Sequence, residues 1–212
     1  MQKMMTVDTT SLDGLTFDGN DLWISDISEK MVKKVSIAEQ SIIKEIKFLP
    51  SGIPRAISFV NDALLISNYD SVNESTSEII QLNVMNGKTL RTLNCPSFID
   101  SGIAFDNENF WGASCKEQKI CKFLVDSGEA IQEFQYDHPV LAIGWTGHHL
   151  IAAFDKMDTD KSCEIALINP KDGKVISKVD ISNRVSGVTY AENMIFYTNS
   201  DLKEIQVTKL KG

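Results

Sequence analysis

The chain has 212 residues, is 42 % hydrophobic and 24 % charged, and carries a formal net charge of −8. This is an ordinary globular composition, and its negative field disfavours nucleic acid and anionic membranes as partners. No window approaches the roughly 18 consecutive apolar residues of a spanning helix, and the N-terminal MQKMMTVDTT lacks the apolar centre and small-residue cleavage site of a secretory signal, so a cytoplasmic location is expected.

The first motif along the chain is GLTFDGNDLW, from Gly14. It returns as AISFVNDALL from Ala56, GIAFDNENFW from Gly102, AIGWTGHHLI from Ala142 and GVTYAENMIF from Gly187. Column one is Gly or Ala, column two Leu, Ile or Val, column three a small residue, and column four an aromatic: Phe17, Phe59, Phe105, Trp145 and Tyr190. Alternation within each copy predicts a strand, and a turn-prone stretch predicts a reversal into a second strand. A third strand follows in each unit (KMVKKVSI, SEIIQLNV, QKICKFLV, CEIALINP, KEIQVTKL), and a fourth in the first four units (SIIKEIKFL, KTLRTLNC, EAIQEFQY, KVISKVDI). The motif starts lie 42, 46, 40 and 45 residues apart. Four antiparallel strands per repeat of about 40–45 residues is the pattern of a β-propeller blade.

The fold class expected is therefore all-β, a single five-bladed propeller over residues 1–212. The fifth unit lacks a fourth strand, and the N-terminal segment supplies one, so the ring closes three-plus-one. Small residues in columns one and three leave hollows that the aliphatic and aromatic residues of the neighbouring blade would fill. On that reading Phe105→Ala costs about 3–5 kcal/mol. Lys44, Glu45, Lys47, Arg91, Glu133 and Lys178 lie on outer strands, where charge deters edge pairing, and a monomer is expected.

Two rings of polar residues fall where propeller loops gather. One precedes the first strands: Asp13, Arg55, Asp100 with Ser101, His138, and Arg184 with Ser186. It reads as an anion- or carboxylate-binding mouth with Asp13 and Asp100 as acid/base groups, or as loop ion pairs Asp13–Arg55 and Asp100–Arg184. The second ring ends the second strands: Asp26, Asn68, Ser114, Asp155 and Asn199. It reads as a ligand or metal ring, or as side chains that hold the following turns.

Weaker features remain. Asp155, Asp158 and Asp160 lack the spacing of a calcium loop. His148-His149 falls in a turn on the opposite face and is not expected to share a metal. SVNESTSE, residues 71–78, reads as a mobile loop. Cys95, Cys115, Cys121 and Cys163 have no C-x-x-C spacing and read as reduced thiols, with a Cys115–Cys121 bridge across a hairpin as the alternative.

The form G-[LI]-x-F-D-G-x-x-L-W-[IV]-x-D, as in Gly14–Asp26, resembles blades of the glutamine cyclotransferase, SMP-30, streptogramin lyase and NHL-type propeller assemblage. The resemblance implies five blades if the chain is like the cyclotransferases, and a divalent metal in the channel if it is like the SMP-30 enzymes. No cofactor is predicted from the residues themselves. The function expected is a non-catalytic binding module that receives a small polar molecule, a peptide or a protein at the channel mouth. The alternative is a propeller enzyme, a cyclotransferase, lyase or lactonase, that uses the mouth carboxylates.

Overall fold

A computed structural model of the chain describes residues 2–72, 75–94, 99–157 and 162–209. The strands in chain order are β1 (Gln2–Thr6), β2 (Leu15–Phe17), β3 (Leu22–Asp26), β4 (Met31–Ser36), β5 (Ser41–Lys47), β6 (Ile53–Val60), β7 (Ala63–Asp70), β8 (Ser75–Asn83), β9 (Thr89–Asn94), β10 (Gly102–Phe105), β11 (Phe110–Ser114), β12 (Lys119–Phe123), β13 (Ala130–Gln135), β14 (Val140–Trp145), β15 (Leu150–Asp155), β16 (Cys163–Ile168), β17 (Val175–Ile181), β18 (Val185–Ala191), β19 (Met194–Asn199) and β20 (Glu204–Thr208). They form five antiparallel four-stranded sheets. Four of these run β2-β3-β4-β5, β6-β7-β8-β9, β10-β11-β12-β13 and β14-β15-β16-β17; the fifth runs β18-β19-β20-β1. The chain is a five-bladed β-propeller. Its last blade is completed by the N-terminal strand, with Met5 opposite Ile205 and Thr6 opposite Glu204. Met5 and Val7 enter one core cluster with Leu15, Ile24, Phe196 and Ile205, so the clasp joins the first and last blades through apolar packing.

The innermost strands meet around the axis, and the repeated small residues follow from that approach. A Cβ at Gly14 would lie 2.5 Å from the Arg55 carbonyl oxygen, one at Gly102 2.7 Å from the Ile143 nitrogen, and one at Gly187 2.6 Å from the Asp13 carbonyl oxygen. The third column stitches blades together. Thr16 Oγ1 accepts the Phe59 N–H at 3.0 Å, and Ser58 Oγ accepts the Phe105 N–H at 3.1 Å. Side chains of the neighbouring blade do not simply fill these hollows: at Gly14 and Gly187 its backbone does.

The aromatic column is a correction. Phe17, Phe59, Phe105, Trp145 and Tyr190 are half-buried. They pack at the margins of five separate clusters around the end of the channel away from the mouth. Among the described residues the fully buried aromatics are instead Trp23, Trp111, Tyr197, Phe48, Phe110 and Phe123, four of them on second strands. A half-buried ring leaves a smaller cavity on truncation, so Phe105→Ala belongs below the 3–5 kcal/mol expected for an interior site.

Residues 75–78 are a second correction. They lie in β8, with Asp70 opposite Ser75 and Tyr69 opposite Thr76, so the insertion lengthens the β7–β8 hairpin; residues 73–74 lie outside the described residues. No helix is long and apolar enough to cross a membrane among the described residues.

Candidate channel-mouth site

The channel narrows to about 10 Å³ where Gly14, Ala56, Ser101, Gly102, Ala142, Ser186 and Gly187 meet, room for no more than about one water. A ligand at the mouth therefore stops there. Above this constriction the loops into the first strands and the turns after the second strands lie side by side. Asp13 N–H donates to Ser25 O at 3.1 Å and Asp155 N–H to Pro139 O at 3.0 Å. The two rings read from the sequence thus share one face.

Asp13 is the enclosed member whose carboxylate lacks hydrogen-bond donors among the described residues. Its backbone carbonyl is held by Ser186 Oγ at 3.3 Å and Thr198 Oγ1 at 3.2 Å, and a Ser200–Ser186–Thr198 hydroxyl chain with links of 2.7 and 2.8 Å supports it. Its side chain is 13 % exposed, with Arg55 Nε at 3.8 Å. Among the described residues no donor hydrogen-bonds to the carboxylate. Burial pushes its carboxyl up to about 6, against the opposing pull of Arg55 and Arg184. Arg55 sits within β6 beside a bulge between Pro54 and Ile57, and its guanidinium lies over the Tyr69 ring at 4.6 Å, a contact that orients the cation.

Asp100 has a different role. Its Oδ1 accepts the Cys115 N–H at 2.6 Å, and its Oδ2 accepts the Ser114 hydroxyl at 3.2 Å and the Lys116 N–H at 3.3 Å. It caps the turn after β11. Among the described residues no ion pair joins Asp100 to Arg184, so that expected pairing is not formed, while Asp13–Arg55 is. Arg184 is exposed, and its field reaches both Asp13 and Cys115. His138 is exposed, with no hydrogen bond or ion pair among the described residues.

Four of the five second-ring residues hold the turns that follow them, while Asn68, inside β7, binds the loop before β6. Asp26 accepts the Thr10 and Glu29 N–H groups at 2.9 and 3.0 Å and the Thr9 hydroxyl, with Lys33 Nζ at 3.3 Å. Burial opposes ionisation of Asp26, but these donors outweigh it and hold its carboxyl below the ordinary value. Asn68 Oδ1 accepts Gly52 N–H, Ser114 Oγ accepts Glu117 N–H, Asp155 Oδ1 accepts Met157 N–H, and Asn199 Oδ1 accepts Leu202 N–H. Asp158 and Asp160 lie outside the described residues.

Tyr69 and Cys115 are the mouth residues that sequence reasoning missed; each follows a second-ring residue directly, which is the signal that could have found them. Cys115 is half-buried and Cys121 is buried, and neither is in a disulfide. Cys121 lies opposite Gly112 in the β11–β12 ladder, so it does not face Cys115 across the hairpin and the alternative bridge is not formed. Burial and then the Asp100 carboxylate raise the Cys115 thiol, which keeps it protonated. Cys95 lies outside the described residues. Among the described residues Ser101 Oγ and Asn199 Nδ2 are buried without a hydrogen-bond partner.

A divalent cation does not suit this donor set. Asp13 lies beside the Arg55 guanidinium and in the field of Arg184, and both Asp100 oxygens are occupied by N–H and O–H donors.

No protein-family model matches the chain, and no curated protein matches it. Among solved structures, the crystal structure of Myxococcus xanthus glutaminyl cyclase is similar over 100 % of this chain and 96 % of its own, at 11 % identity and a TM-score of 0.77. Kuenenia stuttgartiensis hydrazine synthase is similar over 92 % of this chain and 57 % of its own, at 17 % identity and a TM-score of 0.57. BamB from Moraxella catarrhalis is similar over 96 % of this chain and 61 % of its own, at 14 % identity and a TM-score of 0.51. At these identities the likeness is one of fold.

Proposed function

We propose that the protein is a binding module whose channel mouth takes a small zwitterion of the amino-acid type. The observation that carries this is the Asp13 carboxylate, enclosed, without a hydrogen-bond donor among the described residues, 3.8 Å from Arg55 Nε and within the field of Arg184. An α-carboxylate would lie on the guanidinium groups, which recognise carboxylates through paired N–H donors. The ammonium would lie on Asp13 and supply the donors that carboxylate lacks. The constriction below limits the ligand to the mouth.

A second reading has its own support. A carboxyl that titrates near 6 is suited to general acid/base work, and the fold is similar to that of a glutaminyl cyclase. In that reading Asp13 relays the proton as the α-amine of an N-terminal glutamine attacks its own side-chain carboxamide carbon and ammonia leaves. Calorimetry with L-glutamine, together with mass spectrometry of an N-terminal glutaminyl peptide incubated with the protein, separates the two. Binding of L-glutamine that Arg55→Met weakens at least about tenfold, with the peptide unchanged, supports the module. Loss of ammonia from the peptide, abolished in Asp13→Asn, establishes the enzyme.

A further inference from the structure

The geometry points to a second ligand site, on the face opposite the mouth, that takes a flat aromatic carboxylate. A cavity of about 330 Å³ lies there between the fourth and fifth blades, within the size range of small-molecule sites, roughly 300–1,000 Å³. Leu167 and the buried Ile195 give it an apolar floor, and His148, His149 and Tyr190 give it planar walls. The walls are positioned locally. Thr146 Oγ1 accepts the His148 and His149 N–H groups at 3.3 and 2.9 Å, which fixes the turn that carries both imidazoles. Tyr190 donates its hydroxyl to Asn193 Oδ1 at 3.3 Å, so the Asn193 amide N–H groups stay free.

The electrostatics of this cavity run against those of the chain. Overall there are 29 Asp and Glu against 21 Lys and Arg, yet among the described residues the lining holds Lys209 and two histidines and no carboxylate. Glu192, in the same turn as Asn193, is exposed and is not part of the lining. Among the described residues Lys209 has no ion pair, and neither imidazole side chain has a hydrogen-bond partner. Lys209 and the Asn193 amide offer donors, and each imidazole carries an N–H in either protonation state. Donors that converge on one cavity complement an anionic group, and rings over an aliphatic floor complement a flat apolar body. An aromatic carboxylate supplies both.

The probe is 2-naphthoate, with the neutral 2-naphthamide as its control, titrated calorimetrically into the full chain. The expected result is saturable binding of the naphthoate and binding of the amide weaker by about tenfold or more, the scale of a charge-assisted hydrogen bond. Lys209→Met and His149→Ala should each weaken naphthoate binding by a similar factor, while Arg55→Met, in the mouth, leaves it unchanged. Lys209 is exposed, so its replacement does not disturb the core. No binding, equal binding of the amide, or binding sensitive to Arg55→Met but not to Lys209→Met would each overturn the assignment.

Discussion

Asp13 and Asp26 bracket the first hairpin and carry opposite burdens. Asp26 is satisfied by four donors, so its charged form is the stable one in the fold; that contribution is present above the ordinary carboxyl value and is lost as pH falls. Asp13 is raised to about 6 from 3.8, so the folded chain holds this proton more tightly than the unfolded chain. Its effect on stability has the other sign: stability falls as pH rises from about 4 through 6. At about 1.4 kcal/mol per tenfold, the gap amounts to about 3 kcal/mol at most. Urea unfolding of Asp13→Asn should therefore show a gain of about 2 kcal/mol at pH 7 and little change at pH 4. An equal change at both pH values would mean that the carboxylate is not held in an unfavourable environment. The sequence showed which residue types reach the mouth. It did not distinguish Asp13 from Asp100, because the difference lies in the turn at Cys115 and Lys116, whose N–H groups satisfy one carboxylate and not the other.

At the scale of the strands, the repeat was legible because each column answers to one contact. Glycine in column one allows the adjacent blade's backbone to approach, and a hydroxyl in column three accepts its N–H. Thr16→Val removes the acceptor and leaves the Phe59 N–H unpaired, a cost of about 1–3 kcal/mol. Thermal unfolding checks this; a variant as stable as the parent would mean that the inter-blade hydrogen bond contributes nothing. The aromatic column was misread for a physical reason. Period two places Phe105 on the same side of β10 as Ile103, which is buried, but it does not report that the strand ends there, where the channel widens and water reaches the ring. The Ser-rich stretch after Asp70 was misread because polar composition signals a loop only when the backbone lacks a partner; here β7 continues and pairs with it.

For the molecule as a whole, five equal sheets and the N-terminal clasp followed from spacing alone, since strand order in a propeller follows chain order. Function did not follow in the same way. The mouth is assembled from residues 13, 55, 69, 115 and 184, contributed by four of the five blades, and no local pattern records that convergence. The central claim is that these residues act together on one zwitterion. The most direct test is a titration of ¹⁵N-labelled protein with L-glutamine at pH 7, followed by amide chemical shifts. The account predicts saturable shifts confined to Asp13, Gly14, Arg55, Cys115 and Arg184–Gly187, and their loss in Asp13→Asn. Shifts on another face, or none at tens of millimolar ligand, would contradict it.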